Sequence, residues 1–597
     1  MTVNLPVSQW RVLWFSPNAG LWQTSQLEHE LANGLVQRGA QVTVIRCRGM
    51  FNSYCPTMQS NGITVDSGES AKKSVCKSCR REAKVFEGAA SYSTIWLDDY
   101  LNPEMRSRVN SRIERVTTTN WRENTTEEIA VGIYSTYLSM LHHKVPDVTA
   151  TTESWNEYLS DLRSALYASE SMPQIFTEIQ PTHCLVYNPL YPTNRVFTEL
   201  ALKDPQIQYV GVSAPGYVPD RYSTIALYRS IKSSQTVVDS KTLIESSLDP
   251  LSRLEIKLVA RQMGQLVRGS DPWVYSTPST GKPTEEIRQI LGIENELPVC
   301  VVLIGSPDET RSSALVGAEY ERIPIEEISS VQEFIEQSLE VAGNCPDINF
   351  IFRLHPRLAP NKRESFRSPD LDVIEELLAG RPSNVIVNFP NDGIGLYDVA
   401  RIANFGINHA SSAGLEFLAL GIPVIHYDPP RLNAYPPSLG FEVPRLDQNS
   451  FHKAITQARL KPISAENAVL AWRWYAVTLL RAVTHKSWTN QPPNVQHQKI
   501  PRLQWLRQLL PDGFRERVSR IRSENRRAKE LDTKSTSTIS LPWIDECIMR
   551  IVDFDDSIIW NPKAIMRGDS LNIAEEVEQV SYEVQRICEI IGSGRAT

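Results

Sequence analysis

Three groups of residues in this chain have the types and spacing to do chemistry. The first lies in Asn408-His-Ala-Ser-Ser-Ala-Gly-Leu-Glu-Phe-Leu-Ala-Leu-Gly-Ile-Pro-Val-Ile425. It reads as a strand end, a serine pair, a helix, a glycine stop and a new buried strand. Ser411 and Ser412 fall where that helix begins, so their hydroxyls and the unpaired backbone N–H groups suit a phosphate. Glu416 falls one turn further, on a face where a carboxylate accepts hydrogen bonds from a ribose diol. The second group ends the apolar run Phe350-Ile-Phe-Arg-Leu-His-Pro-Arg357. Arg353, His355 and Arg357 at the C-terminal end of a strand suit a diphosphate or a sugar carboxylate; the plain alternative is a structural His-Pro turn. The third is Cys47, Cys55, Cys76 and Cys79, spaced C-x7-C-x20-C-x2-C. Four thiolates with one C-x2-C knuckle suit a structural zinc or an iron–sulfur cluster, with Lys72, Lys73, Lys77, Arg80 and Arg81 beside the knuckle to offset their charge. The alternative is free thiols.

Strand ends must be gathered by a sheet, and the sequence carries the pattern for two. Arg11-Val-Leu-Trp-Phe-Ser16 reads as a buried strand, Asn18-Ala-Gly20 as a turn, Gln23 to Gln37 as a helix with Leu27, Leu31 and Leu35 on one face, and Gln41-Val-Thr-Val-Ile45 as the next strand. That is the strand–helix–strand core of a doubly wound sheet. Residues 90–180 read as largely helical, and strands return at Thr182–Tyr187 and Ile207–Ser213. A Pro/Gly/Ser-rich break follows at Thr277–Pro283. Beyond it, strands at Pro298–Ile304, Ile348–Leu354, Asn384–Asn388, Asn404–Asn408 and Ile422–His426 alternate with helices, implying a second parallel sheet. The expected fold class is therefore α/β: two doubly wound, Rossmann-like domains facing a cleft, plus a helical C-terminal extension. The boundaries read as 1–280 for the N-terminal domain with its cysteine cluster, 284–490 for the C-terminal nucleotide-donor domain, and 491–597 for a linker and helical extension.

Composition narrows the partners. A net charge of −7 argues against a global nucleic-acid binder. No run approaches the ~18–20 apolar residues of a membrane-spanning helix, and Met1 to Trp10 lacks the basic start and apolar core of a signal peptide. The expected location is cytoplasmic, with one qualification. Arg502 to Glu530 carries nine Lys/Arg against four Asp/Glu, with Trp505, Leu509 and Phe514 among them. Such a stretch reads either as a helix lying on the inner face of a membrane or as a solvated helix packed on the domains. His142 and His143 read as part of a polar helix face, and Trp472 and Trp474 as the core of a helix crossing back between domains.

The pattern Ser-Ser-x-x-x-Glu-x-x-x-x-Gly-x-Pro-Val-Ile, from Ser411 to Ile425, resembles the donor-nucleotide motif of GT-B glycosyltransferases. It also resembles that of nucleotide-sugar 2-epimerases, which share the architecture. The Arg-x-His-Pro ending at Arg353 to Pro356 resembles that of capsule-type polysaccharide transferases, bacterial Kdo transferases among them; glycerophosphotransferases of the teichoic-acid type have a similar element. Ile304-Gly-Ser-Pro-Asp-Glu-Thr310 with Val316-Gly-Ala-Glu-Tyr320 resembles the start of their second domain, which makes Ser306 a phosphate or sugar contact. Tyr187-Asn188 with Asn194-Arg195 resembles their Asn-Gly-Arg…Asn-x-Arg loop, although Pro189 and Leu190 stand where that loop has glycine and arginine. Similar cysteines recur in the first domain of these enzymes. The resemblance covers residues 11–430 in patches.

It implies a glycosyltransferase moving a sugar from a nucleotide-sugar donor to a surface polysaccharide or lipid-linked acceptor. Arg353, His355 and Arg357 would meet the donor's phosphate together with Ser306, Ser411 and Ser412, and Glu416 would hold the ribose. No Asp-x-Asp motif stands out, so no catalytic metal is expected. Inverting transfer needs a base for the acceptor hydroxyl; Glu28, His29, Asp98 and Asp99 are the candidates from the first domain, and His355 is a further candidate catalytic group. The rival readings are a 2-epimerase, a CDP-glycerol-type glycerophosphotransferase and a non-catalytic scaffold.

Overall fold

The computed structural model describes residues 5–126, 131–213, 219, 223–229, 241–269, 275, 277–316, 331–361, 366–427, 435–443, 447–485, 541–552 and 569–593. The basic segment Arg502 to Glu530, with its membrane reading, lies outside the described residues, as does most of the Val316–Tyr320 motif.

The fold class expected from the sequence is the one found. In the first sheet, β1 (Arg11–Phe15), β2 (Gln41–Arg46), β3 (Ser93–Trp96), β4 (His183–Tyr187) and β5 (Gln208–Ser213) run parallel in the order β3-β2-β1-β4-β5. β6 (Thr224–Tyr228) joins the β5 edge antiparallel. The second sheet contains β7 (Val299–Ile304), β8 (Asn349–Arg353), β9 (Val385–Asn388), β10 (Phe405–His409), β11 (Val424–Tyr427) and β12 (Phe441–Val443). All six are parallel, in the order β9-β8-β7-β10-β11-β12. Every residue of β7 and β8 is buried. Helices cover both faces of such a sheet, so its central strands read as unbroken apolar runs.

Both orders reverse beside their first strand, at β1/β4 and at β7/β10. These are the topological switch points of doubly wound sheets, and ligands bind outside the strand ends there. The two places share a backbone feature. The residue after β4, Asn188, has φ 37°, and the residue after β10, Ala410, has φ 49°. A non-glycine residue in the left-handed region is disfavoured, least so for asparagine.

Three elements tie the halves together. The helix Val131–His143 packs against Thr152–Ile179 of the first half and against Pro307–Val316 of the second. The helix Ala465–Ala476, with Trp472 and Trp474 fully buried, leads through residues 477–481 into β13 (Thr484–His485), which pairs with β6 of the first sheet. The helix Arg253–Arg268 shares a core with Val301, Leu303 and Ile351 of the second sheet, although it precedes the Pro/Gly/Ser-rich break in sequence.

The helical C-terminal region divides between the two halves. The helix Leu541–Val552 lays Trp543 and Ile544 against Trp14 and Leu31 of the first half. Gly34 makes this possible, because a Cβ there would stand 2.3 Å from Ile544 Cδ1. The helix Ile573–Ser593 packs on Arg253–Arg268 and Ala465–Ala476. There Glu576 accepts from Arg473 Nε at 2.8 Å and from the Leu251 backbone N–H at 2.8 Å.

Candidate active site

At the second switch point the loops after β7 and β10 meet. A Cβ on Gly305 would stand 2.8 Å from the His409 carbonyl oxygen and 2.9 Å from that of Ala410, so only glycine lets the loops close. Ser306 follows, buried, its hydroxyl donating to Asp308. Across from it, Ser411 Oγ accepts from the Ala413 N–H at 3.3 Å, and Ser412 precedes the helix Ala413–Ala419 without capping it. The Asn408 amide braces this turn, donating to the Ser411 carbonyl at 3.0 Å and to the Tyr435 hydroxyl at 2.7 Å. Glu416 is buried one turn into the helix and accepts from the Tyr397 hydroxyl. Burial pushes its carboxyl up to about 7, against the smaller downward pull of that hydrogen bond.

The basic residues after β8 take different places. Arg353 turns inward, donating to Asn388 and, at 3.0 Å, to the Ile394 carbonyl; burial lowers it to about 10. His355 is half-buried, its Nδ1 accepting from the Arg357 N–H at 3.3 Å and its ring edge-on to Tyr275. Arg357 joins three parts of the chain. Its Nε donates to Asp308 at 3.1 Å, one terminal nitrogen to the Tyr275 hydroxyl at 2.7 Å, and the other to the Leu141 carbonyl of the first half at 2.8 Å. Burial opposes its charge, but Glu309 and Asp308 outweigh burial and push the guanidinium higher than usual. Lys144 completes the junction from the other side, donating to the Arg357 carbonyl at 2.5 Å and the Phe366 carbonyl at 3.1 Å. The structure thus gathers Ser306, His355, Arg357, Ser411 and Ser412 in loops at the C-terminal edge of the second sheet. Arg353 and Arg357 are hydrogen-bonded within the protein.

The first-half candidates do not share a single site. Glu28 is buried beneath the loop after β1, accepting from Ser16, whose Oγ also accepts from Arg46 at 2.7 Å. Burial pushes this carboxyl up to about 7, with Ser16 and Arg46 pulling against it. His29 is bound to the Tyr92 hydroxyl at 2.8 Å and to Asn33 at 3.1 Å. Asp98 accepts from the Arg48 backbone N–H at 2.6 Å, and Asp99 meets the Arg48 guanidinium at 3.1 Å on the surface. All four are held by neighbours that account for their positions.

A different carboxyl faces open space. Asp161, on Thr152–Ile179, lines a pocket with Asn18 from the loop after β1 and with Tyr191 and Thr193 from the segment after β4. It is 7% exposed, and among the described residues its Oδ2 has no hydrogen-bond partner. Burial first, and then the charge of Glu157, hold its carboxyl well above the ordinary aspartate value. Glu157 sits one turn earlier. Burial works against its charge, but His142 and His143 outweigh that and lower it to about 2. His143 Nε2 reaches it at 2.8 Å, and His142 Nδ1 reaches its other oxygen. The two histidines therefore face a buried carboxylate; they are no part of a purely polar helix face. Leu138 on the same helix lines the Asp161 pocket, and the end of that helix meets Arg357.

Sequence reading missed Asp161, yet a signal was present. Two carboxylates four residues apart repel each other on a helix. Here they share a face with Tyr158, Leu162 and Ala165, all fully buried.

The four cysteines line one pocket with Pro17 and Asn18, the same loop after β1 that borders the Asp161 pocket. None is in a disulfide, and burial is the first cause that raises each thiol above its usual value.

No family model matches the chain, and no curated protein matches it. Among solved structures, the β-Kdo 2,7-transferase KpsC of Thermosulfurimonas dismutans is similar at 14% identity and a TM-score of 0.31, over 53% of this chain and 82% of that one. The calicheamicin glycosyltransferase CalG4 is similar at 12% identity and a TM-score of 0.23, over 79% of this chain and 94% of that one. The UDP-GlcNAc 2-epimerase of Neisseria meningitidis, bound to UDP-GlcNAc, is similar at 10% identity and a TM-score of 0.26, over 78% and 96%. The chain has two Rossmann-like sheets, and the similar solved structures are mainly glycosyltransferases with 2-epimerases among them.

Proposed function

We propose that this chain is a glycosyltransferase that moves a sugar from a nucleotide-sugar donor to a glycan or lipid-linked acceptor, with the donor at the second switch point and the acceptor at the first. The observation that carries this reading is the pairing of two switch-point crevices through one helix, Val131–His143: it lines the pocket of Asp161 at Leu138 and meets Arg357 at Leu141. Clefts between domains favour ligands, and transfer between two substrates needs both held at once.

In the donor crevice the Ser306, Ser411 and Ser412 hydroxyls and His355 would bind the diphosphate. Stabilising charge on the leaving phosphate is the largest electrostatic task. Glu416 would hold the ribose: a carboxylate accepts about four hydrogen bonds, so the one from Tyr397 leaves capacity for a diol. Arg353 and Arg357 would shape the crevice and add positive potential from behind. In the acceptor crevice Asp161 would take the proton from the acceptor hydroxyl as that oxygen attacks the anomeric carbon and the nucleotide leaves. A carboxyl held above its ordinary value is a stronger base than a common aspartate. The expected rate therefore rises with pH as Asp161 ionises. A capsule or surface polysaccharide is the proposed acceptor class, on the resemblance of the Arg353–Pro356 motif. The protein is proposed to work on the cytoplasmic side.

The test is nucleotide release from a panel of nucleotide sugars and CDP-glycerol, with and without oligosaccharide acceptors. Acceptor-dependent release from one nucleotide sugar supports transfer. Isomerisation of a donor without acceptor would make the protein an epimerase, and release from CDP-glycerol alone a glycerophosphotransferase; either overturns the proposal.

A further inference from the structure

We propose that Cys47, Cys55, Cys76 and Cys79 bind a [4Fe–4S] cluster against the loop after β1. The proposal stands on the thiols and their surroundings and is independent of the glycosyl-transfer reading.

Three separate elements deliver the sulfurs. Cys47 directly follows β2, Cys55 precedes the helix Pro56–Ser60, and Cys76 and Cys79 lie one turn apart on the helix Glu69–Gly88. A C-x2-C pair on a helix puts both side chains on one face. All four line a single pocket.

The backbone around them is arranged for sulfur acceptors. The Gly49 N–H donates to Cys47 Sγ at 3.3 Å and the Gly20 N–H to Cys79 Sγ at 3.2 Å. Hydrogen bonds of this kind tune sulfur-ligated clusters. Gly20 has room for nothing more, since a Cβ there would lie 2.4 Å from Thr57 Cγ2 and 3.4 Å from Cys79 Sγ. Arg80 lines the pocket, where its guanidinium offsets negative charge on the thiolates.

A cluster and a single ion ask for different spacings. A tetrahedral zinc holds each sulfur at about 2.3 Å, hence the sulfurs roughly 3.8 Å from one another. Among the described residues no three His, Cys, Asp or Glu side chains converge closely enough to hold one metal ion. A [4Fe–4S] cluster seats each thiolate on a different iron and so takes a wider set of sulfurs around one space. The four thiols lose their protons as the Fe–S bonds form, and the cluster core supplies the compensating positive charge. The cluster would lock together the loop after β1, the end of β2 and the helix Glu69–Gly88. Cys55, Phe51 and Asn18 also line the Asp161 pocket, so the loop after β1 and the segment after β2 form part of its wall.

The test is metal and acid-labile sulfide analysis of the full-length chain purified without oxygen, with its visible and Mössbauer spectra, before and after reconstitution with ferrous iron and sulfide. The expected result is four iron and four sulfide per chain, a brown chromophore, and loss of both in Cys55→Ser and Cys79→Ser but not in Cys588→Ser, which replaces an exposed cysteine elsewhere. The wild-type stoichiometry decides the matter even where a variant fails to fold. One zinc per chain without sulfide, or no iron after reconstitution, overturns the proposal.

Discussion

The two switch points of this molecule are built alike and furnished differently. In each, the strand that reverses the sheet order ends in a non-glycine residue with positive φ, Asn188 after β4 and Ala410 after β10. Around Ala410 the crevice holds three serines and a half-buried histidine, with the Arg357 guanidinium fixed to Asp308. Around Asn188 it holds a buried carboxyl with one oxygen that has no hydrogen-bond partner among the described residues, and a second carboxylate paired with two histidines. A crevice with hydroxyl donors over a fixed cation suits a bound anion. A crevice with a carboxyl held above its usual value suits removal of a proton. One scaffold, used twice, thus presents opposite chemistry at its two switch points.

The sharpest way to break this comparison is Asp161→Asn. It should lower acceptor-dependent turnover by about 10²–10⁴-fold, the usual worth of a general base, and leave nucleotide affinity unchanged; steady-state kinetics beside calorimetry separate the two. An equal loss in affinity would mean that the two crevices are not distinct.

Next in size is the junction between them. Arg357→Ala strands Asp308, fully buried, without its cation. Removing one partner of a buried pair costs about 3–5 kcal/mol, to be read from chemical denaturation. A change below about 1 kcal/mol would show that the pair behaves as a surface contact.

The third prediction concerns pH. Glu28 in the first half and Glu416 in the second are both raised by burial to about 7 from 4.5. Between those values the native state binds more protons than the unfolded chain. Their contribution is therefore fully present below about pH 4.5 and lost as pH rises through about 7. Glu28→Gln and Glu416→Gln should each flatten the fall in stability between pH 5 and 8, measured by denaturant midpoints. Glu157, lowered to about 2, works in the opposite sense and at lower pH.

The smallest effect compares the two strained positions directly. Ala410→Gly should raise stability by about 1 kcal/mol or less, since alanine tolerates the left-handed region poorly, while Asn188→Gly should change it by only a few tenths. Equal effects would remove the asymmetry in backbone strain.

Both sheets were legible because parallel strands buried on two faces are written as continuous apolar runs; Val299–Ile304 is one. The serines, Glu416 and the Arg353–Arg357 run were legible because a strand end followed by polar or charged residues repeats a local pattern. The strands β6, β12 and β13 were not; for β13, the pairing of a two-residue strand with a partner some 260 positions earlier leaves no local trace. The inward turn of Arg353 toward Asn388 and Ile394 was hidden for the same reason. So was the division of the C-terminal helices between the two halves. Asp161 was hidden because the residues that surround it, Asn18, Tyr191 and Thr193, come from distant parts of the chain.

The most direct test of the two-crevice claim is a thermal-shift panel with CMP, CDP, UDP and GDP on the wild type, Glu416→Ala and Asp161→Asn. One nucleotide at about 100 times its Kd should stabilise the wild type by about 2.7 kcal/mol. That shift should persist in Asp161→Asn and disappear in Glu416→Ala. No shift with any nucleotide, or a shift kept by Glu416→Ala and lost in Asp161→Asn, would contradict a donor site at the second switch point.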